Sequence, residues 1–189
     1  MFNNMTIKSR LVFMSSMLSI LLIGIGSLGL YGMNQSNESA REVYEDRIIP
    51  LGDLGSVLDR MQRIRLNAVM SAYGRSPEIV KERHALNEQR DAEIATTWQK
   101  YVATNLTSEE AALAENFNQQ WRAYVESRNH TMALATAGDY DTAIANAATD
   151  ATSKFDAVHA TLFKLIELQR DEAAKEYAEA QNTYQSIFM

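Results

Sequence analysis

The chain has 189 residues, 24 acidic and 18 basic side chains, a net charge of −6 at neutral pH and no cysteine. All 24 carboxylates lie from Glu38 onward, against 16 lysines and arginines there. That balance excludes nucleic acid, which needs a basic face, and the lack of cysteine excludes disulfides, thiol catalysis and thiolate metal sites. Only two prolines and eight glycines occur. A chain so poor in breakers and rich in Ala, Glu, Gln, Leu and Arg reads as long helices.

No charged residue stands between Arg10 and Glu38, and Leu11 to Leu30 is almost wholly apolar. About 20 such residues at ~1.5 Å rise each cross a hydrocarbon layer of about 30 Å. The stretch therefore predicts a transmembrane helix. A cleaved signal peptide is the alternative, but its apolar core is about 7–15 residues and ends in a small-x-small site, whereas Leu28-Gly29-Leu30-Tyr31 makes a poor one. Lys8 and Arg10 precede the span, and the first charge after it is Glu38. The positive-inside rule then puts the N-terminus in the cytoplasm and residues 34 onward outside it.

The first helix is expected to run on to about Tyr73, bent near Pro50, Gly52 and Gly55. Leu51, Leu54, Leu58, Met61, Arg65, Ala68 and Ala72 follow the 3-4 spacing of a bundle seam. Ser76 caps a second helix with Pro77 at its first position. That helix reaches about Thr104 and carries Val80, Asn87, Ile94, Trp98 and Tyr101 on one stripe. Thr107 and Glu110 form a capping box, opening a third helix with Leu113, Phe117, Trp121, Tyr124 and Arg128 on its stripe. Gly138 ends it. Asp139 caps a fourth helix, read as continuous to the end of the chain, with a seam of Ile144, Ala148, Ala151, Phe155, Val158, Leu162 and Leu165. Short turns make neighbours antiparallel. The predicted fold class is all-α: an N-terminal transmembrane helix followed by an antiparallel up-down-up-down four-helix bundle.

Three segments carry a resemblance: MTIKSRLVFMSSMLSILLIGIGSLGLYGM, YEDRIIPLGDLGSVLDRMQRIRLNAVM and AGDYDTAIANAATDATSKFDAV. In order and spacing the chain resembles the N-terminal sensory half of bacterial methyl-accepting chemotaxis proteins, the class with a four-helix-bundle ligand-binding domain. The resemblance implies a cytoplasmic N-terminus at 1–10, a transmembrane helix at 11–32 and a periplasmic sensory bundle at 33–180. Residues 181–189, uncharged, look like the cut-short start of a second span. It also implies a homodimer in the bacterial inner membrane, reaching a cytoplasmic kinase and adaptor only through C-terminal parts not in this chain. Other outputs for the same fold are the sensor half of a histidine kinase or nucleotide cyclase, or a non-signalling anchored bundle that binds a partner.

The family's aspartate and serine receptors hold an amino acid with three arginines on the first helix and polar groups at the start of the fourth. Arg63, in Gln62-Arg63-Ile64, matches the first arginine, while Ala68 and Ala72 stand at the other two positions. The resemblance thus implies an incomplete amino-acid clamp. Tyr140 and Thr142 fall near the family's polar contacts on the fourth helix.

A depth argument points separately to one layer. Arg65, Asn87 and Arg128 each lie about 10 residues from the turn end of their helices, roughly 15 Å at ~1.5 Å per residue, on otherwise apolar stripes. A desolvated guanidinium demands an anion, and arginine grips carboxylates bidentately. The expectation is a small carboxylate ligand clamped by Arg65 and Arg128, with Asn87 and Tyr124 as donors. The alternative is that these arginines reach solvent or pair with internal carboxylates. Arg60, Arg63 and Asn67 are read as a separate face, a candidate subunit interface where Arg63 reaches a shared ligand. His84, His130 and His159 are scattered, and no phosphate loop or nucleophile elbow occurs. No catalytic residue, metal or cofactor is predicted.

Overall fold

The helix punctuation of the sequence becomes helix boundaries in the computed structural model, which describes residues 6–188. Residues 1–5 of the expected cytoplasmic leader, and Met189 at the end of the expected second apolar segment, lie outside the described residues. The chain divides into two compact units, residues 1–43 with 176–189, and residues 44–175.

In the first unit, α1 spans Ile7–Val43. Its large apolar side chains from Leu11 to Leu30 are all exposed, and none of its most apolar window is buried. A helix satisfies its own backbone hydrogen bonds, so such a rod is at home in hydrocarbon. It is the one helix among the described residues long and apolar enough to cross a membrane.

The second unit begins with a π-helical turn, Tyr44–Ile48, and continues through α2 (Ile49–Gly74), α3 (Pro77–Val102), α4 (Ser108–Thr136), α5 (Tyr140–Ala148) and α6 (Asp150–Phe188, to Lys175 within this unit). The π-helical turn sits just before Pro50, where α2 begins. Pro50 has no N–H to give and its ring crowds the carbonyl four residues back, so the chain widens there. The expected bend is thus a local change of helix type. The turn directs Arg47, which is buried, to Glu110, wholly buried, at 3.5 Å. Glu110 also accepts from the Thr107 N–H at 2.6 Å while Thr107 Oγ1 accepts from the Glu110 N–H at 3.2 Å, completing the capping box.

The other boundaries follow local chemistry. Ser76 accepts from the Ile79 N–H and Pro77 opens α3. Arg75 takes the left-handed position between α2 and α3, with φ of 47°. Gly74 beside it is tightly placed: a Cβ there would lie 3.1 Å from Ile79 Cδ1, which would have to shift by a few tenths of an ångström. Gly138, at φ of 80°, ends α4 with the Asp139 N–H on the Leu134 carbonyl and its own N–H on the Ala135 carbonyl.

The fourth rod differs from expectation: it breaks at Thr149. Thr149 and Thr152 turn their hydroxyls back onto the Ala145 and Ala147 carbonyls, and Asn146 donates to Ser127 and Thr131 of α4. Such back-bonding competes with the helix ladder and bends it. The buried stripe accordingly changes register: Ala143 and Ala147 face inward, Ala148 is exposed, and Ala151, Phe155, Val158, Leu162 and Leu165 resume the seam.

In the bundle α2 packs on α3, α4 and α5, and α4 packs on α3 and α5. One half of the core holds Met61, Ile64, Ile94, Trp98, Phe117, Tyr124, Phe155 and Leu162. Its rings run continuously from Trp98 through Phe117, Trp121 and Tyr124 to Phe155. The half toward the turns at residues 75–76 and 137–139 is built of small side chains, Ala68, Ala72, Ala135 and Ala143, with Val80 and Met132. Phe117→Ala should cost about 3–5 kcal/mol, the usual loss for a buried ring, read as a lower thermal midpoint of the solubilised chain by tryptophan fluorescence. Phe163→Ala, at a side chain 43% exposed, should cost under about 1 kcal/mol.

Candidate functional site

Between the aromatic half and the alanine half lies a polar layer. Asn67, Ser71, Asn87, Ser127, Arg128 and Thr131 are all buried there. Arg128, 2% exposed, donates through Nη1 and Nη2 to both oxygens of Asp91 on α3, at 3.0 and 2.8 Å. It also donates to Asn129 Oδ1. Arg65 reaches Asp156 of α6 at 3.6 Å and lies over the Phe155 ring at 4.6 Å. The Tyr124 hydroxyl is buried and has no hydrogen-bond partner. Burial pushes its pKa far above the ordinary phenol range, opposed by the Arg128 and Arg65 charges.

This geometry corrects the picture of two arginines vacant for an outside anion. Each already faces a resident carboxylate: buried Arg128 holds Asp91, and half-buried Arg65 stands 3.6 Å from the exposed Asp156. Asn87 Oδ1 accepts from Asn67 Nδ2 at 2.8 Å, and its own Nδ2 is buried without a hydrogen-bond partner. Asn67 is 4% exposed and belongs to the interior, not to the Arg60–Arg63 face. Tyr140 is half-buried against the alanine cluster and Thr142 is exposed, with its N–H on Asp139. Arg63, Tyr140 and Thr142 thus lie apart from the Arg65–Arg128 layer, in which Asn87 and Arg128 line one hollow.

Arg63 opens instead onto a groove of about 350 Å³ between α2 and α3, lined by Asp59, Arg60, Arg63, Gln89, Arg90 and Glu93, with Leu86. Arg63 bonds Asp59 at 2.8 Å along α2, and Arg60 crosses to Glu93 at 2.7 Å. Those arginines hold both carboxyls below their usual range. Arg90 is different: its Nη1 is buried without a hydrogen-bond partner, and it has no ion-paired carboxylate among the described residues. Three cations face two carboxylates. Sequence reading passed over Arg90 and Asp91. Asp91 stands four residues after Asn87, on its stripe, and Arg90 follows Arg83 by seven, with Leu86 and Glu93 on the same face. Among the described residues no group of three acidic or imidazole side chains could hold a metal ion.

The model of the family described as four helix bundle sensory module for signal transduction matches residues 4–184. The chain belongs to this family of methyl-accepting chemotaxis sensory modules. No curated protein matches it. The antiparallel bundle is therefore a signalling module, and α1 is its membrane-crossing candidate.

Arg128→Met or Asp91→Leu alone strands a buried partner and should cost about 3–5 kcal/mol, while Arg128→Met with Asp91→Leu should cost less than their sum, measured by denaturant unfolding. Asp59 and Glu93 have folded pKa values below their unfolded ones, so their contribution is present above about pH 4 and lost as pH falls through the folded values. Replacing Arg60 and Arg63 by Gln should flatten the fall of the thermal midpoint in that acid window.

Proposed function

We propose that this chain is the sensory part of a homodimeric chemoreceptor that binds a small organic acid on the periplasmic side of the inner membrane, with the N-terminus in the cytoplasm. The observation that carries the ligand class is Arg90. A partly buried guanidinium with an unsatisfied N–H, beside Arg60 and Arg63, is a donor set awaiting carboxylate oxygens. In a domain with excess negative charge, a local arginine cluster is where an organic anion gains most.

The dimer reading rests on the same face of α2. Arg63 is followed at 3-4-3 spacing by Leu66, Met70 and Tyr73, which are 56, 37 and 58% exposed. Apolar side chains in a heptad row are a helix-pairing seam. A second copy on that row would roof the groove at its Arg63 end and exclude water from the bound acid. Signal then passes through α2. Arg63 lines the groove, and Arg65, two residues on, touches Asp156 and Phe155 of α6. The role is transmission rather than catalysis, as the family's is a sensory one.

Calorimetric titration of the solubilised chain with C4–C6 di- and tricarboxylates tests this. Arg90→Ala removes one charge-assisted hydrogen bond, worth about 1.5–3 kcal/mol, and should weaken the best acid roughly 10–100-fold. Asp59→Asn frees Arg63 and should tighten it. Equal affinity in an Arg60→Ala, Arg90→Ala double variant would end the proposal.

A further inference from the structure

On the opposite side of α3 lie two adjoining hollows. One, of about 140 Å³, is lined by Asn87, Asp91 and Arg128 together with Val125, Asn129 and Met132. The other, of about 490 Å³, lies toward the turns and is lined by Pro77, Val80, Lys81, Ala85 and Thr136. His84 and Glu88 border both, so polar and apolar spaces meet at one pair of residues. Asn87 is 3% exposed, and its Nδ2 has no partner although it lines the smaller hollow. Buried amides are almost always satisfied, so an unpaired one at a cavity wall points to something that pairs with it.

We propose that this α3–α4 face is a second small-molecule site, taking a neutral carboxamide or lactam carried on an apolar body. In the smaller hollow Arg128 is already neutralised by Asp91 through two hydrogen bonds. An added anion there would face Asp91 and Glu88, with Lys81 lining only the larger hollow and His84 beside Glu88 at 3.7 Å, and an added cation would face Arg128. What the hollow still offers is hydrogen-bonding capacity of both kinds. The Asn87 amide and the second Nη1 hydrogen of Arg128 can donate, and the remaining lone pairs of the Asp91 carboxylate can accept. A ligand carrying an N–H next to a C=O answers both at once. It also answers an asparagine amide turned either way. The apolar remainder lies against Pro77, Val80 and Ala85. The site is independent of the organic-acid reading: it uses the other side of α3 and none of Arg60, Arg63 or Arg90.

Benzamide is the probe, titrated into the full solubilised chain by calorimetry and thermal shift. Acetophenone, with a methyl in place of the amide nitrogen, is the control that lacks the N–H. Benzamide should raise the midpoint and bind at least tenfold more tightly than acetophenone. Ala85→Trp, at an exposed position of α3, fills the apolar hollow without entering the core and should abolish binding. Asn87→Leu should do the same while the chain stays folded by circular dichroism. Arg90→Ala should leave benzamide binding unmoved, so failure of the organic-acid site reads separately. No response to millimolar benzamide would mean that water alone satisfies Asn87 and would overturn the proposal. Equal binding of acetophenone, or binding retained in Ala85→Trp, would overturn it too.

Discussion

The burial of Arg128 is the constraint on which the middle of this bundle depends. A guanidinium 2% exposed must hold an opposite charge, or folding meets a desolvation cost of several kcal/mol. Asp91 supplies it from the neighbouring helix with two parallel hydrogen bonds. That fork is directional, so it fixes the axial register of α3 against α4 more narrowly than greasy contacts can. It also explains why apolar packing stops at this level. A charged pair and its flanking amides and hydroxyls cannot be surrounded by hydrocarbon alone, and the layer from Asn67 to Thr131 follows.

Each side of that layer has a different physical character. Below it, interlocked rings from Trp98 to Phe155 make a core in which any displacement loses many close contacts. Above it, alanines, hydroxyls and amides hold the helices together with less apolar area per residue. The fourth rod breaks at Thr149, close to this boundary: Asp150 bonds Ser127, and Thr152 meets Arg65. Local rearrangement costs least where buried apolar area is smallest. The turn half is the part of the bundle able to respond to a small guest, and the aromatic half is the part able to carry the response as a body.

What could be read in the sequence was the local chemistry. Ser76-Pro77, Thr107 with Glu110, and Gly138-Asp139 act on backbone groups a few residues away, so their meaning does not depend on the rest of the fold. The apolar stripes were legible for the same reason, and with them the up-down-up-down order. The site was less so. Asn67 lies off the single 3-4 seam that the α2 spacing shows, yet α2 buries a second row of Val57, Ile64, Asn67 and Ser71. The pairing of Arg128 with Asp91 depends on two helices meeting in register, which no single-helix pattern states. The break at Thr149 arises from hydroxyls that would do nothing on a water-facing turn, and bend a helix when packing brings Asn146 onto α4.

Neutralising Arg128 also narrows where an anion can act. With Arg128 satisfied, Arg47 held by Glu110 and Arg65 facing Asp156, the groove beside α2 is a place where cations outnumber carboxylates. Arg63 and Arg65 are separated by two residues, which is about 200° around a helix. One therefore faces the groove while the other faces α6. A stiff helix cannot move at one of these faces and stand still at the other. A guest that draws Arg63 inward thus acts on the Arg65 contacts with Phe155 and Asp156. It shifts the populations of the bundle only by the difference between its affinities for the two arrangements. The groove has to change shape between those arrangements, and the salt bridge that crosses it from Arg60 to Glu93 is the contact that such a change would strain first.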